Sequence, residues 1–285
     1  NNKPGSVVDQ CNEAIFIQTE VRKTERIESW NCAGKRADRD IAVIEWLEDD
    51  DLVIGYAGAH GAWAYPVRIL TFHEIVNEVL EGIPVLVSYC PLCASGIVFS
   101  RQVGDRVLSF GNTSALHEAD MVMFDYETGS YWWQVAGRAI VGPLTDTPLE
   151  VLPSTTTSWQ VWSRLYPNTL VLSRGTGYSR DYDRDSFRGY ADQLNRRQFP
   201  FPVSRRSYGP LKAGTMVIVA RIGNDVRAYP IDADEVALVH DDVGNVPIVV
   251  FIDGDGGAAV FRARLSDEDE RVLTFDVVGD AIVDR

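Results

Sequence analysis

Cys90-Pro91-Leu92-Cys93 places two thiols two residues apart, the tightest spacing of reactive side chains in the chain. Such a pair can share one metal ion or close one disulfide. Four other side chains are candidate partners: His73, His117, Met121 and Met123. Thiolate, thioether and imidazole together favour copper, with zinc next. Met121 and Met123 alternate with Val122, so they share one side of a strand. Both methionines can equally fill core space. His117 sits in a polar loop segment, and His73 reads as a capping or surface histidine as readily as a ligand. Asp120 and Asp125 are carboxylates in the same segment, and turn flanking is their expected role. Without metal, one cysteine of the pair would attack and the other resolve in thiol–disulfide or peroxide chemistry. Arg101 or the Arg-rich segment 174–206 would then supply the cation that activates a thiol. In a third reading Cys90–Cys93 is a structural disulfide, and 174–206 holds an anionic or glycan ligand through Arg forks and Tyr faces.

The flanks define the element that presents the thiols. Pro84-Val85-Leu86-Val87-Ser88-Tyr89 precedes the pair, and Gly96-Ile97-Val98-Phe99 follows. A thioredoxin-like site would continue into a long helix, whereas these β-branched and aromatic residues read as a second strand. The pair therefore occupies a turn, with Pro91 presetting its own φ. Upstream, Thr71 and Glu74 form a capping box, and Phe72, Ile75, Val76 and Val79 fall on one helical face. With Gly82 as a stop, the pattern predicts a helix beginning at Thr71. Downstream, Asp120–Asp125 and Tyr131–Gln134 read as a hairpin, and Trp159 and Trp162 lie on a helix ended by Pro167.

An internal repeat is visible. Ala64-Tyr65-Pro66, Ile83-Pro84-Val85-Leu86-Val87 and Arg106-Val107-Leu108-Ser109-Phe110 recur as Ala228-Tyr229-Pro230, Val246-Pro247-Ile248-Val249-Val250 and Arg271-Val272-Leu273-Thr274-Phe275. The second copy has Ile252-Asp253-Gly254-Asp255 where the first has the thiols, so it reads as scaffold. The pattern predicts a β-rich α+β fold of two repeated strand-helix-strand halves with an inserted middle region. The expected divisions are an N-terminal extension (1–40), a first half (41–111), the insert (112–210) and a second half (211–285).

The 285 residues carry a net charge of −14, which argues against general nucleic-acid binding. No apolar run is long enough to span a membrane. Cys11 and Cys32 lie in a polar segment with little core, where a disulfide would be the natural staple. That implies an oxidising, extracytoplasmic location, whether secreted, periplasmic or cell-surface.

Further motifs are Ala64-Tyr65-Pro66, His73-Glu74, Pro84 through Cys93, Asp120–Asp125, Trp133-Gln134, Leu152-Pro153-Ser154 and Arg180-Asp181-Tyr182. Together these resemble the DUF3179 family, a bacterial and archaeal family of unknown function, over about residues 50–230. The resemblance implies export for many members, and a selenocysteine in some, which would suit redox or soft-metal chemistry. The expected function is an exported soft-metal protein, copper ahead of zinc, using Cys90 and Cys93, with oxidoreductase activity as the enzymatic reading. Its partners would be a small-molecule substrate or a metal donor. The sequence sets no oligomeric state.

Overall fold

The structure, a computed structural model, describes residues 44, 46–204, 211–223, 225–231, 236–253, 257–265, 271–278 and 281–285, and short strands at Ile15–Phe16, Glu28–Trp30 and Arg36–Asp38. Cys11 and Cys32 lie outside the described residues, and so does their expected disulfide.

Three sheets carry the framework. Strands β1 (Leu52–Ala57) and β2 (Ala62–Pro66) form a hairpin that leads into helix α1 (Val67–His73). Strands β3 (Ile75–Leu80), β4 (Ile83–Cys90) and β5 (Ser95–Ser100) follow as an antiparallel meander. Next come β6 (Phe110–His117), β7 (Asp120–Asp125), β8 (Tyr131–Trp133) and β9 (Arg138–Val141), a second meander of four strands. Strand β10 (Val151–Leu152) returns to the edge of β5, and β11 (Ser154–Ser158) pairs with β1. Helix α2 (Trp159–Leu165) and β12 (Leu170–Val171) complete that edge, and α3 (Tyr190–Asn195) lies in the long segment beyond. The later strands are β13 (Val217–Ile222), β14 (Asp225–Pro230), β15 (Val236–Val243), β16 (Val246–Asp253) and β17 (Ala258–Arg262).

This architecture overturns the expected α+β fold of repeated strand-helix-strand halves. The described residues hold three helices, of seven, seven and six residues, against many strands. What recurs is a hairpin followed by a meander, with no helix between β14 and β15 among the described residues. Of the strands after 211, β13 and β14 pair with each other, whereas β15, β16 and β17 join strands of the first half. Seven strands share one sheet in the order β12-β2-β1-β11-β17-β16-β15.

The helix expected to begin at Thr71 ends at His73, and Ile75–Leu80 is a strand. Glu74 turns the chain in the left-handed region, with φ 59°. The helical spacing misled because β3 is buried on both faces. Val76 and Leu80 pack against Ile54, Tyr65 and Leu70, whereas Ile75 packs against Leu86, Phe110 and Trp132. The two polar residues between them are each absorbed, one per face. The Asn77 amide donates to the Phe110 carbonyl and accepts from its N–H, both at 2.8 Å, as a strand neighbour would. The buried Glu78 carboxylate accepts from the Tyr65 hydroxyl. A strand covered on both sides reads as an unbroken apolar run rather than an alternation. The turn after β3 supports this conformation, because Glu81 and Gly82 both have positive φ, 51° and 84°. Such two-residue turns match the twist of an antiparallel hairpin.

β4 shows how the layers meet. Val85, Val87 and Tyr89 face one core, with Tyr65, Ile69 and Tyr182. Leu86 and Cys90 face the other, with Phe99, Met121, Met123 and Trp132. Cys90 thus ends the central strand, pointing into the apolar layer shared with β7.

Candidate functional site

Pro91 to Ala94 form the turn between β4 and β5, and Ala94 takes φ 49°. The turn brings back Cys93, exposed as a residue, with its thiol directed inward to the buried Asp120 at the start of β7. Cys93 Sγ donates to Asp120 Oδ1 at 3.0 Å and lies 3.1 Å from Ser95 Oγ. The other carboxylate oxygen, Oδ2, accepts from the Val135 N–H at 2.9 Å. Buried Gln134 braces the group: it accepts from Ser95 Oγ (2.9 Å) and donates to Ser88 Oγ (3.0 Å) and to the Ser95 carbonyl (3.2 Å). One sulfur each from Cys90 and Cys93 and one Asp120 oxygen lie within 4.8 Å of one another. Both cysteines are free thiols.

Two thiols and a carboxylate thus crowd together. The hydrogen bond with Cys90, then burial, then the negative charge of Cys90 and Asp120 push the Cys93 thiol far above its ordinary range. Burial, followed by the thiol charges of Cys90 and Cys93, also raises Tyr89. Glu74, beside the same centre, is pushed up to about 7 by burial and by Asp120, and Asn112 donates to its carboxylate.

Cys90 also lines an open cleft of about 550 Å³. Glu74, Asn112 and Met121 share its wall, and Arg188, Tyr190 and Phe201 approach from the segment between residues 174 and 206. That segment is tied to α1. The Tyr182 hydroxyl lies 2.6 Å from His73 Nε2 and 2.5 Å from Thr176 Oγ1.

The ligand candidates separate clearly. His73 is buried against Tyr182 and Tyr178, and burial lowers it to about 4. Exposed His117 packs edge-on against Trp133, with ring centroids 4.6 Å apart. Met123 is fully buried, whereas Met121 shares the cleft wall with Cys90. Arg101, a sequence candidate for activating a thiol, spends its guanidinium on the carbonyls of Val85, Leu108 and Glu78. Asp125 does flank a turn, accepting from Thr128 and from Trp132 Nε1. Asp120 has the same residue type and the same strand but a different partner. Only its pairing across the layer, which no local spacing encodes, distinguishes it. In the sequence Glu74 reads as a capping-box residue and Gln134 as the end of a hairpin strand, and neither spacing marks a place at the thiol centre.

His73 and Glu74 make a testable pair. From pH 4.5 to 6.5 the unfolded chain charges both, and the folded chain holds both neutral. Proton counts then match, so the pair adds no pH slope to stability. His73→Asn leaves Glu74 alone, and stability should fall as pH rises from 4.5 towards 7. Glu74→Gln leaves His73 alone, and stability should fall as pH drops from 6.5 towards 4. The span reaches about 3 kcal/mol for His73 and less for half-buried Glu74. Urea melts across pH read both slopes, and parallel curves for the two variants would refute the assignment.

The chain matches the family described as "Protein of unknown function (DUF3179)" over residues 35–284, and it belongs to that family. Neither the curated proteins nor the solved structures contain a match.

Proposed function

We propose that this member of the DUF3179 family binds a thiophilic metal ion through Cys90, Cys93 and Asp120. The observation that carries the reading is the convergence of two sulfurs and a carboxylate oxygen within 4.8 Å. Tetrahedral zinc, with bonds of about 2.3 Å to sulfur and 2.0–2.2 Å to oxygen, needs ligand atoms about 3.5–3.8 Å apart. The present spacing, 3.0 Å between Cys93 Sγ and Asp120 and no more than 4.8 Å overall, brackets that value. A bound cation would also relieve the like-charge crowding that holds Cys93 protonated. A carboxylate as third ligand moves the preference from copper towards zinc, because thioether and imidazole were the grounds for copper. The ion would supply Lewis acidity. Cys90, which lines the cleft, is the ligand that links it to a substrate. Three protein ligands leave a coordination position free, the pattern of catalytic rather than structural zinc.

The test is elemental analysis of protein purified without added metal. About one zinc per chain is expected, with loss in Cys90→Ser/Cys93→Ser and an unchanged melting profile of the sheets by circular dichroism. Copper in place of zinc would move the third ligand to Met121. Equal metal in wild type and double variant would end the proposal.

A second reading rests on the Cys93–Asp120 hydrogen bond. Oxidation of the two thiols to a disulfide passes two electrons and two protons to the oxidant, a peroxide that leaves as water or a disulfide that leaves as two thiols, and Asp120 is placed to take the Cys93 proton on its way to that leaving group. Thiol counts before and after mild peroxide, in protein shown to be metal-free, separate this reading from the first. The extracytoplasmic location expected from Cys11 and Cys32 suits either chemistry, and fractionation of the source cells tests it.

A further inference from the structure

We propose that the cleft beside Cys90 is a recognition site for a small organic monocarboxylate, with Arg188 holding the carboxylate and Phe187, Tyr190 and Phe201 enclosing the apolar body. The inference extends the metal reading to a ligand class but stands on different residues. The cleft volume, about 550 Å³, lies in the range of small-molecule sites. Among the described residues Arg188 is the only cation on its wall, and it makes no hydrogen bond or ion pair with any of them. A guanidinium with an open fork in a cleft is matched to a carboxylate, which it binds through two parallel hydrogen bonds. Arg68 and Arg174 pair with Asp183, and Arg101 is committed to backbone carbonyls.

A single guanidinium matches one carboxylate, whereas a phosphate dianion would call for a further cation, and among the described residues no second one lines the cleft. Three aromatic rings line the same side as Arg188, and Phe187 and Tyr190 already meet edge to face at 6.1 Å. They favour a flat or branched apolar body beside the carboxylate.

Phenylacetate is the probe, and phenylacetamide is its neutral isostere. Calorimetric titrations use the full chain after chelator treatment, so that no metal can capture the carboxylate. Phenylacetate should bind, and phenylacetamide at least about tenfold more weakly, since charge-assisted bonds are about twice as strong as neutral ones. Arg188→Gln should lose that preference while its melting curve stays at the wild-type position. Arg188 is exposed and unpaired, so the substitution does not threaten folding. Repeating the titration on zinc-loaded protein separates the two proposals: retained binding with no zinc uptake refutes only the metal. No phenylacetate binding at millimolar concentration, equal affinity for the amide, or an unchanged Arg188→Gln refutes the carboxylate site. Tighter binding of inorganic phosphate than of phenylacetate would also refute it.

Discussion

Zinc affinity should rise at least about tenfold for each pH unit between about pH 6 and 7.5, measured by competition with a chelator of known proton dependence. Thiolate, not thiol, is the ligand, so binding releases the protons that the free site holds. Cys93 is pushed far up by its hydrogen bond to Cys90, by burial and by Asp120, so its proton is present throughout this window. The proton displaced from Cys93 gives a slope of at least one in log affinity against pH. Asp120→Asn should cost about 100-fold or more, because even changes to groups that merely support a ligand cost about 10–100-fold. The same variant removes a negative neighbour from Cys93, so alkylation of the metal-free thiol should become faster. The two effects run in opposite directions, which a general loss of structure cannot imitate. A slope near zero would mean that the ion, if any, is held elsewhere.

The thiol turn was legible because its determinants are local. Apolar runs on both sides of Cys90–Cys93 and a proline in the turn specify a hairpin from within about twenty residues. The helix expected to begin at Thr71 failed for the complementary reason. Ile75, Val76 and Val79 have helical spacing, and only the two layers that enclose β3 turn that spacing into a strand. Asn77 and Glu78 look like the polar side of a helix, yet each is satisfied by a different sheet. The likeness between the segments around residues 83 and 246 lies in sequence and in hairpin order, and it carries no helix. At the site, proximity in the chain identified Cys90 and Cys93. The third partner, Asp120, comes from another sheet, and one carboxylate among many carries no distinguishing mark until β7 packs against the turn. The methionines were visible for their rarity, but rarity says nothing about which side of an interlayer core a side chain joins. Met121 reaches the cleft, and Met123 does not line it.

Arg101→Met should destabilise the protein by about 3–5 kcal/mol, the cost of removing one partner from a buried polar group. Arg101 follows β5 and is 7% exposed. Its Nε donates to the Val85 carbonyl at 3.1 Å, and its two terminal nitrogens donate to Leu108 (2.8 Å) and Glu78 (3.0 Å). The guanidinium therefore fastens β3 and β4 to the chain entering the four-stranded sheet. Burial lowers its pKa, while the charges of Glu127 and Glu78 oppose that shift. Methionine matches the aliphatic stem but leaves three carbonyls without a donor and Glu78 without its nearby cation, and each orphaned group costs about 1–3 kcal/mol. Arg101→Lys should recover only part, because one ammonium cannot reproduce a planar fork aimed at three carbonyls. Urea unfolding reads the effect as a lower midpoint at an unchanged slope. The pH dependence of zinc affinity in the folded fraction should stay at wild type, since Arg101 does not touch the thiol centre. If Arg101→Met instead unfolds within 1 kcal/mol of wild type and the zinc slope shifts, the residue acts on the thiols, and its structural role here is wrong.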